Sequence, residues 1–93
     1  MELCKKWSVT MKNHISGGGV LTPFQDPFDS SAFYVSDGWG SYYASIRLRK
    51  LSVETGEELA NVLTRDCVRC IHAEEDRLFA ILNKRILELD RET

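Results

Sequence analysis

In the first half of the chain, apolar residues come in short runs separated by strong breakers: Gly17-Gly18-Gly19, Pro23, Pro27 and Gly38-Trp39-Gly40. No helix of useful length fits between them. Trp7-Ser8-Val9-Thr10-Met11-Lys12 alternates large apolar with polar side chains and reads as a strand. Ala32-Phe33-Tyr34-Val35 is a buried-type run closed by Asp37-Gly38, and Ile46-Arg47-Leu48-Arg49 alternates cleanly. Further on, a strand over Cys67–Ile71 puts Val68, Cys70 and His72 on one face and Cys67, Arg69 and Ile71 on the other.

Two segments are ambiguous by periodicity. Leu78, Ile81, Leu82, Ile86 and Leu89 recur at helical spacing, so Ala73 to Arg91 fits one helix. It fits equally well as two strands, Arg77 to Leu82 and Arg85 to Leu89, joined by a two-residue turn at Asn83-Lys84, with Leu87 and Leu89 inward. Asn tolerates the positive φ that such a turn asks for. Glu57 to Leu63 is either a helix capped by Thr55 and Glu58 or a strand.

An internal repeat decides between these readings. Arg47-Leu48-Arg49-Lys50-Leu51-Ser52-Val53-Glu54-Thr55 aligns with Arg85-Ile86-Leu87-Glu88-Leu89-Asp90-Arg91-Glu92-Thr93 at an offset of 38 residues. Each copy follows an apolar run, Phe33–Val35 in one case and Leu78–Leu82 in the other. Glycine and proline crowd the first copy and force it to be extended, so the second is expected to be extended too. A period of this length is typical of solenoids and propellers.

Leu51-Ser52-Val53-Glu54-Thr55-Gly56-Glu57 resembles the L-D-x-x-T-G-E signature that ends the third strand of a blade in PQQ-like (quinoprotein-type) β-propeller repeats. Leu89-Asp90-Arg91-Glu92-Thr93 resembles the same signature up to the residue before its glycine. The resemblance covers residues 30–93 well and the first 29 weakly. It implies an all-β fold of antiparallel propeller-type blades, two four-stranded sheets in an incomplete ring, with residues 1–50 holding an outer strand plus an aromatic and Gly-rich blade and residues 51–93 the second blade. Leu3 to Lys12 and Glu57 to Leu63 become outer strands. In the signature, Ser or Asp and Thr tie the turn through side-chain to backbone hydrogen bonds, and Gly56 takes a conformation that other residues resist. A ring needs about 4–8 blades. Two blades leave apolar faces open, so a longer chain or association of copies is expected to complete it.

Composition narrows the function. Residues 1–45 carry 7 charged side chains and residues 46–93 carry 19, while eight of nine aromatics lie in the first half. With 12 Lys+Arg against 14 Asp+Glu and no single-sign block, the electrostatic footprint of a nucleic-acid binder is absent. No apolar run approaches the roughly 20 residues that span a bilayer, the start is unlike a secretory signal, and three cysteines are too few for a disulfide scaffold. A reducing, cytoplasmic location is expected.

Cys67-Val68-Arg69-Cys70 with His72 invites a zinc or redox reading. Tetrahedral zinc takes about four ligands, and residues i and i+3 of a strand face opposite ways, so buried structural cysteines are expected instead. Gly17-Gly18-Gly19 lacks the Lys-Ser/Thr of a phosphate loop, and His14 beside it reads as an exposed polar residue. Asp26 and Asp29 flank Pro27-Phe28 in a turn pattern, with a catalytic carboxylate pair as the alternative. Glu74-Glu75-Asp76 reads as a solvated turn, with calcium binding as the alternative.

The most site-like segment is Asp37 to Tyr43. Its residues Trp39, Tyr42 and Tyr43 suit a protein interface or a stacked sugar ring, or else fold back to cover a blade edge. The expected function is a non-enzymatic propeller module for protein recognition or assembly, self-associating through exposed blade faces, with no cofactor, metal, nucleic acid or membrane partner. The alternatives are a small oligomeric lectin-like propeller and a fragment of a quinoprotein-type dehydrogenase. The resemblance implies an adjacent disulfide pair and an acidic calcium set for that enzyme, which this sequence does not show.

Overall fold

The computed structural model describes residues 2–11, 15, 22–38 and 43–92. They form seven strands: β1 (Phe24–Gln25), β2 (Ala32–Ser36), β3 (Arg47–Ser52), β4 (Glu58–Leu63), β5 (Cys70–Ala73), β6 (Leu78–Ile81) and β7 (Ile86–Leu89). The only helical element among the described residues is a 3-10 turn at Tyr43–Ser45. All pairings are antiparallel, in a four-stranded sheet ordered β1-β2-β3-β4 and a three-stranded sheet ordered β5-β6-β7.

Both ambiguous segments are extended. β4 pairs along β3, with a register shift at Lys50/Leu51. β6 and β7 form a hairpin in which Ile81 faces Ile86 and the amide of Leu82 donates to the carbonyl of Arg85 at 2.9 Å. Helical spacing of leucines gives way here because the strand pairing buries one side of the hairpin: Leu78, Ala80 and Leu82 are buried and Leu87 and Leu89 are half-buried. The turn differs from expectation in one respect. Among the described non-glycine residues only Arg65 has a positive φ, at 60°, so Asn83 turns the chain without left-handed backbone. Its amide works outward instead, donating to Asp66 Oδ1 at 3.0 Å and accepting from Arg69 at 2.8 Å.

Three expectations are corrected. The segment 2–11 holds no strand, and Lys12 lies outside the described residues. Trp7 docks by its ring instead, stacked on Phe33 with centroids 6.4 Å apart, and its Nε1–H donates to the carbonyl of Val53 at 3.1 Å. The strand placed at Cys67–Ile71 begins only at Cys70, because the amides of Cys67 and Val68 are taken by Asp66 Oδ1 and Ser36 Oγ rather than by a ladder. Val68 is consequently buried, while Cys70 and His72 are exposed. Among the described residues the second sheet has three strands where four were expected, and the first runs from residue 24 to residue 63.

The sheets pack face to face. Tyr34 and Leu48 of the first share a core with Ile71, Leu78 and Ala80 of the second and with the flanking Val68 and Leu82, and Phe24, Ala73, Leu87 and Leu89 close the rim. A lock at one end holds the arrangement. The Asp26 carboxylate is fully buried and receives the guanidinium of Arg91, 65 residues away. Arg91 also donates to the carbonyls of Glu74 and Glu75, its guanidinium lies 5.5 Å from the ring of Phe28, and its own carbonyl accepts from Lys50 at 2.7 Å. At the other end Asp37, also buried, accepts from Arg49 Nε and Nη2 at 3.0 and 3.1 Å and from the Arg47 amide at 2.9 Å. Arg49 continues to Glu58 at 2.9 Å.

The turn after β3 has the wiring expected of the signature. Ser52 Oγ accepts from the amides of Glu54 and Thr55, and Thr55 Oγ1 accepts from that of Glu57. In the second copy Asp90, the counterpart of Ser52, accepts from the amide of Glu92 at 2.8 Å. Gly56 sits at φ 75°, and a Cβ there would meet ring carbons of Trp7 at 2.3 to 2.8 Å.

Two outcomes follow for stability. Leu78→Ala, at a fully buried position, is expected to cost about 2–5 kcal/mol in denaturant unfolding. Gly56→Ala is expected to lower the thermal midpoint through left-handed strain of about 1–2 kcal/mol and to displace Trp7, read as a change in Trp fluorescence. An unchanged midpoint and spectrum would contradict the contact.

Candidate interaction surface

The second sheet has one packed and one open face. Strand alternation sends Ile71, Leu78, Ala80, Leu87 and Leu89 to the core and Cys70, His72, Phe79, Ile81, Ile86 and Glu88 outward. The outward residues form two cross-strand rows, Cys70–Ile81–Ile86 and His72–Phe79–Glu88. Ile86 is 66% exposed, against 2% for Leu48, its counterpart in the repeat. Around Phe79 the surface is polar. Arg77 lies 4.8 Å over its ring and pairs with Glu88 at 2.9 Å, and His72 lies beside it and reaches Glu74 at 3.3 Å. Hydrogen bonding to Arg77 holds the Glu88 carboxyl below its ordinary range and raises Arg77 in return.

The edge of this sheet is open as well. β3 is flanked by β2 and β4, whereas β7 is flanked by β6 alone among the described residues. Beside the open edge lies a cleft of about 280 Å³. Tyr34, Leu48, Ala60 and Val62 of the first sheet form its floor, and Glu88, Leu89 and Asp90 border it on the β7 side. A second, acidic cleft continues past the end of β7, bordered by Glu75, Asp76, Asp90 and Glu92.

Trp39 and Tyr42 lie outside the described residues, as do His14 and Gly17-Gly18-Gly19, and Tyr43 opens the 3-10 turn. Asp26 and Asp29 are not a free carboxylate pair. Asp26 serves Arg91 and accepts from the Phe28 amide, and Asp29 accepts from both the amide and the hydroxyl of Ser31. The hydrogen bonds from Ser31 lower the Asp29 pKa, with Lys50 adding to them. Cys67 is buried and Cys70 exposed, so the two thiols face different surroundings, and burial pushes the Cys67 thiol up, away from thiolate chemistry. Among the described residues, no group of three or more His, Cys, Asp or Glu side chains could hold a metal ion, and no helix is long and apolar enough to cross a membrane.

Comparison with known family models, with curated proteins and with solved structures gives no match for this chain. The open face of the second sheet was not singled out from the sequence. The signal was present in the repeat itself, because its 38-residue offset places Ile86 where the first sheet buries Leu48.

Two measurements test the polar framework. Arg49 holds Glu58 below its ordinary value of 4.5, and the Asn61 amide adds to this. The stability from this pair is complete above pH 4.5 and is lost as pH falls through the lower folded value, so Glu58→Gln should flatten the acid side of the stability curve. Asp26→Ala, which leaves Arg91 without its carboxylate, should lower the thermal midpoint well beyond Glu88→Ala, whose pair with Arg77 is exposed. Equal effects would remove the lock from its structural role.

Proposed function

We propose that this chain is a non-enzymatic, β-propeller-type repeat module that works in protein recognition or assembly, through the open face of its second sheet. One observation carries the reading: the repeat makes that face equivalent to one the protein already buries. The strand registers and the 38-residue offset relate Tyr34, Leu48 and Lys50 to Phe79, Ile86 and Glu88. The same operation relates Phe33, Val35 and Leu51 of the first sheet's far side to Leu78, Ala80 and Leu89 of the second sheet's core side.

The contact inside the chain is therefore between a face of one type on the first sheet and a face of the other type on the second. The second sheet offers another face of the first type to solvent, with Ile86, Phe79 and Ile81 on it. Ile86 is 66% exposed there beside half-buried Ile81 and Phe79, and it is the apolar centre of the proposed contact. Head-to-tail contacts of this sort are heterologous, and cyclic symmetry closes them into a ring. The sequence resemblance of Leu51–Glu57 and Leu89–Thr93 to quinoprotein-type blade ends supports the propeller form of that ring.

Light scattering coupled to size exclusion tests the reading. The expected mass exceeds the 10.6 kDa of one chain and falls to it on Ile86→Glu, a change at an exposed position that leaves the core intact. A folded protein that stays at the single-chain mass up to its solubility limit, and that captures no partner lost on Ile86→Glu, would remove the proposal.

A further inference from the structure

Within that reading, we infer that the occupant of the open β7 edge is the segment Trp7–Met11 of a second copy, added as a fourth strand to the second sheet. Four observations converge on it. First, the template is present in the chain itself: β4 runs antiparallel along β3, with Leu51 opposite Glu58, and β3 is the repeat counterpart of β7. Second, the space a fourth strand would occupy is the 280 Å³ cleft, which Ala60 and Val62 of β4 face and β7 borders.

Third, Trp7-Ser8-Val9-Thr10-Met11 has the alternation of a strand yet pairs with none in the single chain. Val9 is 48% exposed, and the segment is anchored by Trp7, on Phe33 and Val53, and by the Lys6–Glu54 pair at 3.8 Å. These anchors lie on the far side of the first sheet, the side of Phe33, against which the second sheet of another copy would stack. Trp7 keeps its stack on Phe33 of its own chain while the backbone that follows it lies along the neighbour's β7.

Fourth, the charges match in the antiparallel direction. An antiparallel strand sets its amino end against the carboxyl end of β7. Lys5 then lies beside the cleft of Glu75, Asp76, Asp90 and Glu92, which Arg91 also borders. Along β7 the backbone groups of Leu87 and Leu89 point to β6, because the Leu82–Arg85 hydrogen bond fixes which pairs exchange bonds. Those of Ile86 and Glu88 point to the open side. Pairing of an extended segment with such an edge draws its affinity from main-chain hydrogen bonds.

The test uses the full chain under reducing conditions. Ser8→Pro/Val9→Pro removes two adjacent backbone donors from a segment outside every strand, so circular dichroism and the thermal midpoint of the monomer should not change. The oligomer expected for the wild type should dissociate to single chains. A synthetic peptide of residues 2–11 should dissociate the wild-type oligomer in a concentration-dependent way, and the same peptide with both prolines should not. If the wild type is oligomeric, loses its mass on Ile86→Glu, but keeps it in the proline variant and against the peptide, strand exchange is overturned and the assembly reading stands. If the wild type is a single chain that binds no peptide, strand exchange falls and so does assembly from copies of this chain. Should the proline variant unfold, the two peptides decide the question alone.

Discussion

The arrangement of this molecule depends on a carboxylate with no access to water. Asp26 leaves the first sheet in the turn after β1, and its two oxygens receive Arg91, just past the last strand of the second sheet. The pair joins the start of one sheet to the end of the other, and Arg91 draws the Glu74 and Glu75 carbonyls and Lys50 into the same cluster. A buried carboxylate without its cation carries a large desolvation penalty. The geometry in which Tyr34 and Leu48 cover Leu78 and Ala80 is therefore the one in which this charge is satisfied.

Polar groups and apolar packing divide the labour between specificity and cohesion. Cohesion comes from the shared core, which is built from small and branched side chains of both sheets. Specificity comes from the fixed polar contacts at its margins. Ser36 Oγ donates to the Asp37 carbonyl and accepts from the Val68 amide, which sets how the connection after β4 enters the second sheet. Arg85 donates to the Thr64 carbonyl and Asn83 to Asp66, which pins the β6–β7 hairpin to that same connection. A slip of one residue in either sheet would break several of these bonds at once.

Much of this could be read before any coordinates. The breakers of the first half, the alternation at Arg47–Arg49 and the repeat led to β2, β3, β4, β6 and β7, and the turn chemistry of Ser52, Thr55 and Gly56 is as the signature implied. What stayed hidden is nonlocal. Nothing near Trp7 says that its ring has a better partner in Phe33 than its backbone has in any strand. Nothing near Cys67 says that Ser36, 32 residues earlier, intercepts the amide of Val68. Asp26 and Asp29 look alike in sequence, and only the approach of Arg91 makes one a buried lock and the other a turn residue. The open face of Phe79 and Ile86 needed the strand register, since the repeat shows its meaning only once residues are sorted by side of the sheet.

Of the positions at which the two aligned segments differ, one has a wide reach: Val53 stands where the second has Arg91. The seam inside the chain is consequently bolted by a guanidinium that the repeat does not reproduce. A seam formed between chains would meet valine at that place and lack the buried ion pair. In the assembly proposed above the two seams would therefore be unlike: the one inside the chain holds a buried ion pair, and the one between chains has none at that place.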